Sequence, residues 1–138
     1  MTELTSEFWN TLASQLILIS TLLGGFSFSN LYIIDGTKTD SKLKSSLFKA
    51  LTLACAGFII SIFAMTNIIM RTTPGYPFET TNTDLLLPRI IGTASFLIGL
   101  ISILYAIAIS GRIKDYSSKT FSLIVGVVAF ILILLMLN

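Results

Sequence analysis

The sequence has no histidine, a single cysteine and few charged residues, and each of these shortages excludes a class of function. Without histidine, the chain lacks the most common general base and the most common metal ligand of proteins. The lone Cys55 lies in an apolar run and can form no disulfide within the chain, so we interpret it as a small buried hydrophobe. We therefore expect no catalytic residues, cofactor or metal site, and we predict that the chain is not an enzyme.

Charged residues make up 12% of the chain, whereas apolar residues make up 54%. Soluble domains carry roughly 25% charged residues, so this chain has too little charge to cover a water-soluble globule. The nine Lys and Arg residues do not form a basic stripe with interleaved aromatic residues, which argues against a nucleic-acid partner. The composition predicts an integral membrane protein, with the lipid bilayer as its first partner.

The apolar residues form runs long enough to cross a bilayer, which takes about 20 residues in a helix. They predict an all-α fold: one compact bundle of four transmembrane helices over residues 1–138, with helices near 12–34, 47–70, 90–110 and 121–137. The connector from Arg71 to Arg89 holds all three prolines. We expect it to be an ordered loop that Tyr76 and Phe78 anchor at the membrane surface.

The basic residues predict how the chain is oriented in the membrane. Connectors 35–46 and 111–120, together with Lys49 beside the first of them, contain seven Lys and Arg residues, whereas the middle connector contains two, Arg71 and Arg89. By the positive-inside rule, these two connectors face the cytoplasm and both termini lie outside. The small size and short loops favour a bacterial inner (plasma) membrane. The predicted spans carry no charge between the interfaces, which argues against a proton-coupled transporter.

Small residues recur within the predicted spans, where they allow helices to approach closely. The third span has five small residues spaced three, four, three and four apart, which predicts a packing seam: Gly92, Ser95, Gly99, Ser102 and Ala106. The fourth span has a shorter version of this pattern, made of Ser122, Gly126 and Ala129.

The first span carries two groups of small residues on different parts of its circumference. Ser20, Gly24 and Ser27 lie on one flank, and a second group lies further round the helix: Ser14, Thr21, Gly25 and Ser29. Three interpretations remain open for this broad surface. It is the most buried packing surface of the bundle, part of it lines a permeation path, or it forms a groove for a lipid or small ligand.

The segment "STLLGGFSFSNL" resembles the first transmembrane helix of the Orai-type calcium channels, whose pattern is matched by Ser20, Leu22, Leu23, Gly25 and Phe26. In the third span, Ile91-Gly92-Thr93 followed by Phe96-Leu97 adds a fainter similarity. The resemblance implies an oligomeric channel with a pore face through Leu18, Leu22, Gly25, Ser29 and Ile33.

The chain also departs from that family. The family's selectivity glutamate falls at Ile33, and its basic pore segment falls at residues 14–18, which carry no charge. The family's N-terminus is cytoplasmic, whereas the charge count here places it outside. The resemblance therefore implies a channel without carrying over calcium selectivity.

Two hypotheses for function follow. In the first, the chain forms a homo-oligomeric pore or ion channel with the Gly- and Ser-rich first span near the permeation path. The alternative is a non-conducting membrane anchor or sensor subunit that acts through a protein partner. Such a partner, or anionic lipid, would contact basic residues of the cytoplasmic connectors: Lys38, Lys42, Lys44, Arg112, Lys114 and Lys119.

Overall fold

The computed structural model describes residues 6–35, 41–77, 82–110 and 116–136. Over these ranges the chain forms four α-helices and no strand: α1 (Ser6–Asp35), α2 (Ser41–Thr72), α3 (Asn82–Ser110) and α4 (Tyr116–Met136). The prediction of an all-α fold is confirmed.

All four helices begin well before the apolar runs that predicted them. Polar residues at the edge of a span can continue a helix, because helix formation needs backbone hydrogen bonds and not an apolar surface. Glu7 and Asp84 lie in the first turns of α1 and α3, where a negative charge interacts favourably with the helix dipole.

The middle connector is consequently shorter than predicted. α2 continues to Thr72 and α3 starts at Asn82, so Arg71 and Arg89 belong to helices. Pro88 also lies inside α3, where its ring nitrogen has no hydrogen to donate to the preceding turn. The prediction of a loop from Arg71 to Arg89 is therefore wrong at both ends, which are helical.

The described part of this connector is a tight turn from Thr73 to Tyr76. The backbone N–H of Tyr76 donates to the carbonyl of Thr73 at 3.3 Å. Pro74 and Gly75 occupy the two central positions, and Gly75 has a φ of 93°, as the third residue of a type II turn requires. Tyr76 is exposed, whereas Phe78, the second predicted anchor, lies outside the described residues.

Each helix packs on the helix that precedes it in the chain, and α2 lies between α1 and α3. α1 and α3 each pack along α2 and barely meet each other, and among the described residues α4 packs on α3. The centre of this packing is Phe58 of α2, which is fully buried and makes an edge-to-face contact with Phe96 of α3 at 6.1 Å between ring centroids.

Many large apolar side chains of the four helices are exposed. Phe28, Tyr32 and Phe63, for example, are 71%, 86% and 73% accessible. Soluble monomers rarely expose so continuous an apolar surface. Three segments are long and apolar enough to cross a membrane, namely Glu7–Ile34, Lys42–Thr72 and Thr83–Ser110. The described apolar stretch of α4 is shorter, Leu123–Leu132. The fold is thus compatible with a membrane-embedded protein.

Candidate functional site

The two small-residue groups of α1 occupy different environments. Ser20 and Ser27 are fully buried, and Gly24 between them is half-buried. Together with Ala13, which is 1% exposed, Ser20 and Ser27 repeat every seven residues. This spacing keeps them on one side of the helix, where they face α2, so we call these residues and Gly24 the inner row.

The inner row allows α1 and α2 to approach closely at the level of Gly24. A Cβ atom added at Gly24 would lie 3.4 Å from the Cβ of Phe58. The thiol of Cys55 points at the Gly24 carbonyl oxygen, with 3.8 Å between sulfur and oxygen. Cys55 is a free, half-buried thiol and is therefore less enclosed than the sequence interpretation expected.

Two buried serine hydroxyls have no hydrogen-bond partner among the described residues, those of Ser20 on α1 and Ser61 on α2. Ser27 differs, because its hydroxyl donates to the carbonyl of Leu23 one turn earlier at 2.8 Å. The small volume of Ser20 and Ser61 is thus used in packing, whereas their hydroxyl groups make no contact that would require serine.

The second group, which we call the outer row, is exposed along the length of α1: Ser14, Thr21, Gly25 and Ser29. No atom lies within 4 Å of the position that a Cβ at Gly25 would take. No other described helix covers this row. The structure therefore separates the two groups, placing one against α2 and leaving the other open.

Each hydroxyl of the outer row donates to a carbonyl one turn back on the same helix. The distances are 2.9 Å from Ser14 to Asn10, 2.8 Å from Thr21 to Ile17 and 3.0 Å from Ser29 to Gly25. These bonds satisfy the hydroxyl hydrogens and leave the oxygen lone pairs facing outward. The row is a neutral, weakly polar surface, which carries no fixed charge to bind an ion tightly.

A shallow groove of about 330 Å³ lies where α1 meets α2, and residues of both rows contribute to its lining. Gly24 and Gly25 lie along one side, and Phe28, Ile59 and Ile62 supply most of its apolar lining. The groove is the place where the third interpretation of this surface, a site for a lipid or small ligand, would apply.

The predicted seam of α3 lies against α2. A Cβ at Gly92 would lie 2.6 Å from the terminal methyl of Met65, and one at Gly99 would lie 2.9 Å from the Phe58 ring. Ser102 and Ala106 continue the seam and are both 6% exposed, whereas Ser95 is half-buried.

Residue Gly57 is a close-packing residue that sequence reasoning missed. A Cβ at this position would lie only 2.8 Å from the carbonyl oxygen of Ser95. The only sequence signal was the run of small residues in "LACAG", which has no spaced partner on its own helix.

On α4, Gly126 packs on α3, because a Cβ there would lie 3.0 Å from the Cβ of Ala108. Ala129 is half-buried, and the side chain of Ser122, the first member of the predicted seam, lies outside what the structure describes.

A cluster of side chains that the sequence did not predict connects three helix ends: the start of α1, the end of α2 and the start of α3. The guanidinium carbon of Arg89 lies 4.0 Å from the centroid of the Trp9 ring, as in a cation–π contact. The side-chain amide of Asn10 donates to the hydroxyl of Thr72 at 3.0 Å. These contacts fix the start of α1 to the end of α2 and the start of α3.

The described ranges contain no group of three or more His, Cys, Asp or Glu residues that could hold a metal ion. Comparison with known protein families finds no matching family model, and neither the curated proteins nor the solved structures provide a match. The function of the chain must therefore be inferred from its residues and their geometry.

Proposed function

We propose that the chain forms a homo-oligomeric pore in a membrane, with the outer row of α1 facing the permeation path. The observation that carries this proposal is that Ser14, Thr21, Gly25 and Ser29 share one exposed side of α1 that no other described helix covers. Acyl chains offer no hydrogen bonds to these hydroxyl groups. Water or a neighbouring protomer can bond to them, and the small side chains also let a neighbouring helix approach closely.

The pore requires several protomers because the interfaces within one chain are filled. Phe58 and Met65, which are 0% and 1% exposed, occupy the space between α2 and its neighbours. A hydrated path must therefore run between copies of the chain. Of the three long apolar helices, α1 is the least buried within the protomer, so it has the most surface left for such contacts.

The lining would be neutral. Leu18 lies within the outer row and Leu22 lies beside it. They are 62% and 66% exposed and supply the apolar constriction at which a pore can close by dewetting. With no charged residue in this row, the pore would discriminate weakly among small ions.

The resemblance to Orai-type channels is consistent with this face of α1. All five residues that it assigns to a pore face are exposed: Leu18, Leu22, Gly25, Ser29 and Ile33. Because Ile33 stands at the position of the selectivity glutamate, we do not propose calcium as the permeant ion.

The proposed topology has four crossings, with both termini outside a bacterial inner membrane and connectors 35–46 and 111–120 in the cytoplasm. α4 has 21 residues. At 1.5 Å per residue it is about 32 Å long, close to the roughly 30 Å of a bilayer core. The excess of Lys and Arg in the two connectors supports this orientation.

Flux from liposomes that contain the purified protein tests the pore directly. We expect wild-type protein to release both K⁺ and Cl⁻, and we expect Gly25→Leu and Ser29→Leu to reduce flux strongly without unfolding the chain. Ala56→Leu is the matched control, because it adds similar bulk at an exposed position of α2 outside the outer row. Ala56 lies at the level of Gly24, since its neighbour Cys55 contacts the Gly24 carbonyl. Wild-type flux in both α1 variants would refute the assignment.

The alternative, a non-conducting subunit, uses the same outer row as a contact for a partner's helix. Lys38, Arg112 and Lys114, which belong to its proposed cytoplasmic contact, lie outside the described residues. The mass of the particle in lipid nanodiscs separates the two functions. A ring of identical chains supports the pore, whereas one copy with a stoichiometric second protein and no flux supports the subunit.

A further inference from the structure

A groove on the opposite side of α2 from the outer row combines an apolar trough with a lysine at its end. It lies between α2 and α3, has a volume of about 430 Å³ and includes Lys49, Leu53, Ile101 and Tyr105 in its lining. Leu53 and Ile101 are 53% and 51% exposed, so the trough faces the surroundings of the protein. Ala50, which is 7% exposed, forms part of its floor.

Polar and apolar groups are segregated along this groove. Lys49 and Ser46 lie toward the start of α2, the end that the basic connectors mark as cytoplasmic. Leu53 and Ile101 lie further from that end, and Tyr105 of α3 lies beside the polar portion. This order matches an amphiphile lying along the protein with its headgroup at the membrane surface and its chain toward the bilayer centre.

The polar end of the groove is positively charged and has no acidic counterpart on either helix. No acidic residue lines the groove, and α2 contains no Asp or Glu. The acidic residue of α3 is Asp84, at the far end of that helix, about 30 Å from Tyr105 at 1.5 Å per residue. Lys49 thus places one positive charge at the end of an apolar trough, an arrangement that suits an amphiphile with a negatively charged headgroup.

We propose that this groove binds one anionic phospholipid, with its phosphate at Lys49, Ser46 and Tyr105 and one acyl chain against Leu53 and Ile101. The ammonium of Lys49 supplies charge, and the hydroxyls of Ser46 and Tyr105 supply hydrogen-bond donors to phosphate oxygens. The inference rests on the membrane insertion proposed above, but it requires neither conduction nor oligomerisation.

Native mass spectrometry tests the site. The full chain is purified in detergent, mixed with a defined lipid and released from the detergent in the spectrometer. The probes are phosphatidylglycerol and phosphatidylcholine with identical acyl chains. We expect one phosphatidylglycerol to remain bound per protomer in preference to phosphatidylcholine. We expect Lys49→Gln to reduce that preference about fivefold, the contribution of one Lys near an anionic membrane surface.

Two variants test whether the effect belongs to this groove. Lys44→Gln removes the same charge five residues away, about 140° around α2 from Lys49, and should leave the preference unchanged. Leu53→Trp fills the trough and should weaken retention of both lipids. Equal losses in Lys44→Gln and Lys49→Gln, or no preference for phosphatidylglycerol in the wild type, would overturn the proposal.

The same experiment distinguishes loss of headgroup selectivity from loss of lipid binding. A protein that retains phosphatidylcholine and phosphatidylglycerol equally binds lipid but lacks the anionic site, whereas retention of neither lipid shows that the groove holds no lipid. Both results overturn the proposal, and neither bears on flux, which tests the pore separately. Displacement of the lipid by a second copy of the chain would instead appear as a dimer with no bound lipid, which also overturns the proposal.

Discussion

Gly57 of α2 lies against the backbone of Ser95 on α3, so closely that a Cβ at position 57 would be 2.8 Å from the Ser95 carbonyl oxygen. The same Cβ would lie 3.1 Å from the backbone nitrogen of Gly99. Both of these atoms belong to the backbone, which cannot swing aside as a flexible side chain can. The contact therefore sets the separation of α2 and α3.

Gly57→Ala should lower the free energy of unfolding by about 1–3 kcal/mol, because the added methyl forces the two helices apart. Gly25→Ala is the control: nothing lies within 4 Å of its Cβ position, so it should be stabilising by up to about 1 kcal/mol. Unfolding in mixed detergent micelles measures both values. Equal effects from the two substitutions would contradict the close approach at Gly57.

Ser20→Ala and Ser61→Ala should leave stability unchanged or raise it by up to about 1 kcal/mol, because each removes a buried hydroxyl that has no hydrogen-bond partner. The same unfolding assay applies. A loss of more than about 1 kcal/mol in either variant would show that the hydroxyl forms a bond across the interface.

The contact between Trp9 and Arg89 should stabilise the protein by about 0.5–2 kcal/mol. A double-mutant cycle with Trp9→Leu and Arg89→Gln isolates this coupling energy from the effects of the single substitutions. Phe8→Leu serves as the comparison, since Phe8 packs edge-on to Trp9 at 5.9 Å and forms no described contact with Arg89. Similar coupling energies for Phe8 and Trp9 would argue against a cation–π interaction.

The proposed orientation predicts which exposed positions react with a membrane-impermeant maleimide. In a Cys55→Ala background, Tyr76→Cys should be labelled in intact cells, and Lys42→Cys only after the membrane is permeabilised. The background is clean because Cys55 is the only cysteine of the chain. The opposite pattern would place the basic connectors outside and refute the assignment from charge.

The sequence could predict the helices themselves because long apolar runs leave little choice of structure in lipid. It could not predict where they begin, since α3 starts at Asn82 and continues through Pro88, residues that in isolation favour a turn or loop. The α3 seam was visible because Gly92, Gly99 and Ala106 recur every seven residues.

The covered side of α1 could not be predicted from its own residues. Ser20 and Gly24 on one side and Thr21 and Gly25 on the other are nearly equivalent in size and polarity. Which pair is buried depends on where α2 places Phe58, the large side chain that needs small neighbours. This complementarity depends on both helices, so the spacing of residues within α1 alone cannot predict it.

The position of Phe58 has a mechanical consequence. Its Cβ is the nearest neighbour of the Gly24 Cβ position on α1, and its ring fills the space beside Gly99 on α3. Met65 has a similar place one level along α2, packed with Ala13 of α1 and against Gly92 of α3. Because α1 and α3 rest on the same two side chains of α2, a substitution at Phe58 or Met65 changes the position of both helices at once.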